Sequence, residues 1–84
     1  MYRVIVSKTA TKELAALPTQ AVNRIIPAIK NLAENPRPVG SKKLKGGQDT
    51  WRIRIGDYRV VYTVDDKIQI VDVRKVGHRK DIYD

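Results

Sequence analysis

A chain of 84 residues with 42% hydrophobic side chains supports one modest core and leaves no room for a second domain or an elaborate cavity. Cysteine is absent and there is a single histidine, which excludes a disulfide framework, a thiolate metal site and the usual zinc ligand set, so no metal or cofactor is expected. Seventeen Lys and Arg against nine Asp and Glu give a formal charge of +8, which points either to a polyanionic partner or to simple solubility, and the placement of the cations has to decide.

Tyr2 to Val6, YRVIV, is short, apolar and β-branched and reads as a first strand. The N-terminal MYRVIVSKTATKEL lacks the continuous apolar run of a signal peptide or membrane span, which predicts a soluble, cytoplasmic protein with no membrane partner. Ser7 offers an N-cap oxygen, and Ala10, Leu14 and Leu17 recur at helical spacing up to Pro18. A second and stronger stripe follows in Val22, Ile25, Ile26, Ile29, Leu32 and Ala33, predicting a helix from about Pro18 to Asn35 that pairs with the first over a flat surface. Pro27 interrupts that stripe and predicts a kink or local break at the Asn23 carbonyl. NPRPVG ends the helix, and SKKLKGGQD, 41–49, reads as a basic, glycine-containing loop.

Three strands follow, Thr50 to Ile55, Tyr58 to Val64, and Lys67 to about Lys75, and the first strand pairs beyond the last of them. Gly56-Asp57 suits a two-residue type II′ turn. That turn sets Arg54 opposite Arg59 and Arg52 opposite Val61. One face then collects Trp51, Ile53, Ile55, Tyr58, Val60, Tyr62 and Val64, and the other Arg52, Arg54 and Arg59. A solvated face normally mixes Thr, Lys, Glu and Gln. Here the hairpin places like charges directly across from each other, a repulsion that an anion relieves. Guanidinium stems two residues apart along a strand are about 6.6 Å apart, close enough for two to grip one phosphate. A two-residue turn at Asp65-Asp66 would put Asp72 and Arg74 on the same face, with Asp72 free to orient an arginine, and a bulge would reverse the assignment.

Gly77 ends the last strand. The tail holds His78, Arg79, Lys80 and Tyr83, and a helical turn there would put Arg79 and Tyr83 on one side as a phosphate fork beside an aromatic plate. Against this stands a frayed tail with Tyr83 on the core and His78 as an ordinary surface residue. Arginine stays protonated, so these groups clamp anions and are poor bases. A cationic, metal-free site of this kind fits RNA cleavage by the substrate's own 2′-hydroxyl. The guanidiniums would stabilise the phosphorane, and a donor such as His78 would protonate the departing 5′-oxygen.

KKLKGG, then WRIRIGDYRVVYTVDD, then VRKVGHRKDIY, closely resembles the RelE family of toxins within the RelE/ParE superfamily, over the whole chain. The resemblance implies an α+β fold in a single domain, 1–84, with two N-terminal helices packed on one face of a small, antiparallel-dominated, four-stranded sheet. It also implies a toxin of a type II toxin–antitoxin pair that cleaves mRNA in the ribosomal A site. Family site positions fall on Arg52, Arg54, Arg59, Arg79 and Tyr83, with roles in phosphate contact, transition-state stabilisation, proton transfer and base stacking. Lys42, Lys43, Lys45, Arg74 and Lys80 are candidate contacts to RNA or ribosome. The expected partners are a RelB-like antitoxin from an adjacent gene, the 30S A site with its 16S rRNA, and mRNA. Well-studied members place lysines where Arg52 and Arg54 stand, which leaves the general base open, with His78 the local substitute and Lys43 and Lys45 more distant ones. The rival readings are a ParE-type inhibitor of DNA gyrase and a non-catalytic module that binds RNA or antitoxin.

Overall fold

The computed structural model describes residues 1–45 and 49–80. Its elements run β1 (Arg3–Val6), α1 (Lys8–Ala15), α2 (Thr19–Asn31), β2 (Lys42–Lys43), β3 (Thr50–Ile55), β4 (Tyr58–Asp65) and β5 (Ile70–His78). The strands form one sheet in the order β1-β5-β4-β3-β2. β1 is parallel to β5 and the other neighbours are antiparallel. The sheet therefore has five strands rather than four. The added one is the Lys42–Lys43 pair, expected as loop, which is drawn into the ladder by its register with Arg52 and Trp51 and by the Leu44 amide donating to the Thr50 carbonyl at 2.8 Å.

Both helices form where capping and periodicity place them. The Ser7 hydroxyl accepts from the Ala10 amide at 3.1 Å and starts α1. α2 buries Ala21, Ile25 and Ile29 and runs unbroken through Pro27, contrary to the expected break. Asn23 and Pro27 are both exposed, so the carbonyl that proline deprives of an amide lies on the solvent side, where water serves it. Beyond Asn31 the chain tightens, with the Leu32 and Ala33 amides bonding three residues back to the Ile29 and Lys30 carbonyls. Leu32 is thereby held fully buried outside the regular helix.

The core lies between the helices and one sheet face, where Ala10, Ala21, Ile25, Ile29 and Leu32 meet Ile53, Val60, Tyr62, Val64, Val71, Val73 and Val76. Tyr62 is fully buried and its hydroxyl donates to the Pro36 carbonyl at 2.7 Å. Burial, which disfavours the phenolate, pushes its pKa up to about 12. β1 covers only the first half of β5, and α1 takes over beyond it. The Ser7 amide donates to the Val73 carbonyl, and the Val76 amide donates to Glu13 Oε1 at 3.0 Å, so these β5 backbone groups are satisfied by the N-cap backbone and one side chain of α1. No helix among the described residues is long and apolar enough to cross a membrane.

Candidate functional site

The hairpin that carries the site is fixed by its turn. Gly56 takes φ +60° while Asp57 keeps a negative φ, the signature of type II′. The register follows as expected, with Ile55 facing Tyr58, Arg54 facing Arg59, Ile53 facing Val60 and Arg52 facing Val61. Because Ile53, Val60 and Tyr62 enter the core, alternation sends Arg52, Arg54 and Arg59 to the face away from the helices. Lys42 pairs with Arg52 and joins that face from β2.

This face is not uniformly solvated, as the sequence had suggested. Arg54 is exposed, Arg59 is half-buried, and Arg52 is only 8% exposed beside Val61 at 9%. Position in the sheet accounts for the gradient. Arg52 is flanked on both sides, by Lys42 of β2 and Val61 of β4, whereas Arg54 stands near the strand end. The Nε atoms of Arg52 and Arg59 are buried, so both guanidiniums are held by their stems with limited freedom, which favours anion binding. Arg54 has no carboxylate partner among the described residues and opposes Arg59 directly, a pairing of like charges that a bound anion would ease.

β5 departs from regular alternation. The turn after β4 is four residues, 66–69, rather than two, so Asp72 faces Thr63 and not Arg59. It remains on the cationic face. Between Val61 and Tyr62 the register shifts, so that Tyr62 faces Val73 and Val61 faces Lys75. Arg74 is the extra residue of a bulge, and two basic residues in succession oppose one valine. Asp72 does orient an arginine, but it is Arg74, through a 2.9 Å ion pair. Lys75, which the sequence reading passed over, arrives on the cationic face exposed and without a carboxylate partner among the described residues. The signal was present in the spacing of Val71, Val73 and Val76, which jumps from two to three.

The bulge also reverses the rest of the strand. Val76 goes into the core, and His78 faces Tyr58, with their rings edge-to-face at 5.6 Å. His78 is thus placed on the helix-side face, and its Nδ1 accepts from the Lys80 amide at 3.2 Å. The expectation that it stands beside the arginines as proton donor is corrected by this parity change. Arg79 does reach the arginine end of the sheet: its amide donates to the Asp57 carbonyl at 2.8 Å, and its Nε is 4.0 Å from Asp57 Oδ1, a loose tether on an exposed side chain. Lys45 and Lys80 are exposed. Lys43 faces Trp51 on the helix side, 3.6 Å from Asp49 Oδ1, which removes it from the cationic face. Tyr83, and with it the expected helical turn, lies outside the described residues.

A second charged cluster, unforeseen from sequence, stands apart from these cations. Arg37 bonds Asp49 and also Asp66, the latter at 2.8 Å, and its guanidinium lies 5.4 Å from the Trp51 ring centroid. Trp51 Nε1 donates to Asp49 Oδ1 at 2.8 Å and the Tyr2 hydroxyl to Asp66 Oδ1 at 2.5 Å. Burial pushes the Asp49 pKa up, but hydrogen bonds from Arg37 and Trp51 and the charges of Arg37 and Lys43 hold it below the usual carboxylate range. Asp66 is held low by its hydrogen bonds from Arg37 and Tyr2. The cluster joins the exit of α2 to two loops and the N-terminus, a structural clasp.

Comparison with known proteins gives a consistent picture. A family model described as the ParE toxin of type II toxin–antitoxin systems, parDE, matches residues 4–83. The chain is 35% identical over 86 residues to the toxin RelE3 of Methanocaldococcus jannaschii, covering 98% of this chain and 96% of that protein. It is 32% identical over 83 residues to the toxin RelG of Mycobacterium tuberculosis, covering 98% and 95%. Among solved structures it is similar to that of the archaeal RelE–RelB complex from Pyrococcus horikoshii, with TM-score 0.83, 34% identity, and coverage of 93% of this chain and 94% of that one.

Proposed function

The chain belongs to the RelE/ParE superfamily of type II toxin–antitoxin toxins, and on that premise we propose that it is a ribosome-dependent endoribonuclease acting in the cytoplasm on mRNA in the A site of the 30S subunit, against 16S rRNA. The observation that carries this reading is the register that sets Arg54 across from Arg59, with Arg52 and Lys42 in the next row. Such a face binds a scissile phosphate and stabilises the charge that builds on it.

The reaction that fits is attack of the 2′-hydroxyl oxygen on the adjacent phosphorus. The new O–P bond forms as the bond to the 5′-oxygen breaks, leaving a cyclic phosphate and a 5′-hydroxyl. Arg54 and Arg59 would hold the non-bridging oxygens through the phosphorane, and Arg79 would approach from the hairpin end. Because arginine does not give up its proton readily, the 2′-hydroxyl proton passes to water or to a ribosomal group, and the 5′-oxygen is protonated from the same surroundings. Tyr83 keeps the stacking role that family likeness suggests. A RelB-like antitoxin, of the kind seen with the Pyrococcus relative, is the expected protein partner.

Mapping mRNA 5′ ends on purified ribosomes tests the reading: new ends at fixed codon positions on adding the protein support it, and their absence leaves a non-catalytic module that binds RNA or antitoxin. A second reading, inhibition of DNA gyrase, is favoured by the description of the matching family model. Stalled replication and DNA damage on expression, with translation continuing, would select it.

A further inference from the structure

The cations of the exposed face are not scattered. They fall into two adjacent rows across the strands: Lys42, Arg52, Val61 and the Arg74–Lys75 bulge form one, and Arg54, Arg59 and Gly77 the other. The next row on the other side is Thr50, Thr63 and Asp72, where the cationic strip ends. From Lys42 to Lys75 is three strand spacings, about 14 Å, long enough to lie along more than one phosphate. Of the two basic residues at the bulge, Arg74 is neutralised by Asp72, whereas Lys75 is exposed and has no such partner. Opposite Arg59 stands Gly77, a position with no side chain, so β5 adds no cation to the second row.

We propose that Lys75, carried onto the cationic face by the bulge at Arg74, is a positioning residue that holds the backbone of single-stranded RNA running across the strands from the Lys42 edge to β5. This deepens the ribonuclease reading and rests on RNA being the ligand. The row of Lys42, Arg52 and Lys75 holds phosphates flanking the scissile one, and the row of Arg54 and Arg59 takes the scissile phosphate itself. Lys75 touches no reacting atom. Its contribution is the register of the strand, and without it the substrate pivots about the arginines.

The test is binding of a 2′-O-methylated single-stranded oligoribonucleotide, which cannot be cleaved, measured by fluorescence anisotropy over a range of KCl. Each phosphate contact contributes about 0.7 to the slope of log affinity against log salt for single strands. Lys75→Gln should lower that slope by about 0.7 and Lys75→Arg should restore it, while Lys30→Gln, on α2 across the sheet, should leave it unchanged. On programmed ribosomes Lys75→Gln should raise KM more than it lowers kcat. An unchanged slope in Lys75→Gln, an equal loss at every salt concentration, or no binding by the unmodified protein would overturn the proposal. So would an unchanged slope with weakened antitoxin binding, which would give Lys75 to the antitoxin. Because binding is read without cleavage, a positive slope result with no new mRNA ends would sink the nuclease reading and leave this one standing.

Discussion

At the scale of single residues, burial separates arginines that the sequence presents as equivalent. Arg54 is exposed and Arg59 half-buried, while Arg52 is 8% exposed, so truncation should have different consequences. Arg59→Ala and Arg79→Ala should lower mRNA cleavage by about 10²–10³, the range for removing one group that stabilises transition-state charge, with thermal melting unchanged. Arg52→Ala should lose activity and also about 1–3 kcal/mol of stability, because a buried stem leaves a gap between Lys42 and Val61. Parallel assays of growth arrest and thermal melting would distinguish the two classes, and equal melting of all three variants would contradict the burial gradient. Alternation made the face of each arginine legible in the sequence. Their depth was not, since it depends on β2, whose two lysines carry no strand signal of their own.

At the scale of elements, the β3–β4 hairpin was readable in full and β5 only in part. A two-residue turn beginning with glycine has few alternatives, and it transmits its register along both strands. Gly56 takes φ +60°, a conformation strained for any L side chain, while a Cβ there would meet only the end of the exposed Arg24 side chain, 3.0 Å away at Nη2, which can yield. Gly56→Ala should cost about 1–3 kcal/mol, a fall in melting temperature of about 4–8 °C per kcal/mol for a chain of this size. It should also reduce cleavage by slipping Arg54 from Arg59. β5 was harder because its turn and its bulge are settled by packing: the four-residue turn keeps parity, and the bulge then reverses it so that Val76 can fill the core. That single inserted residue is why His78 faces Tyr58 and Lys75 faces outward. The helices were legible from their stripes, and only the tolerance of Pro27 needed the exposed side of α2 to explain it.

At the scale of the whole molecule, the Arg37 clasp ties together segments that are distant in sequence, from Tyr2 to Asp66. Its effect on stability has a definite sign. Asp49 and Asp66 titrate below their ordinary values in the folded protein, so their contribution is complete above the unfolded carboxylate value of about 3.9 and is lost as pH falls through the lower folded values. Melting temperature should therefore drop on acidification below about pH 4, and Arg37→Ala should flatten that dependence while lowering stability at neutral pH. A melting curve set from pH 7 to pH 2.5 for both proteins would check it. None of this was readable in advance, because the partners of Arg37 are brought together only when α2, the β3 loop and the β4–β5 turn have all folded. The two margins of the sheet differ in a way that bears on the unescorted protein. One ends in a pair of lysines, which discourage another strand from adding. The other ends in β1, where Ile5 and Val6 are 43% and 38% exposed. Among the described residues β1 is the one adhesive margin of the sheet, so the chain overproduced alone should self-associate in pairs instead of growing into fibrils, and sedimentation at rising concentration should level off at twice the monomer mass.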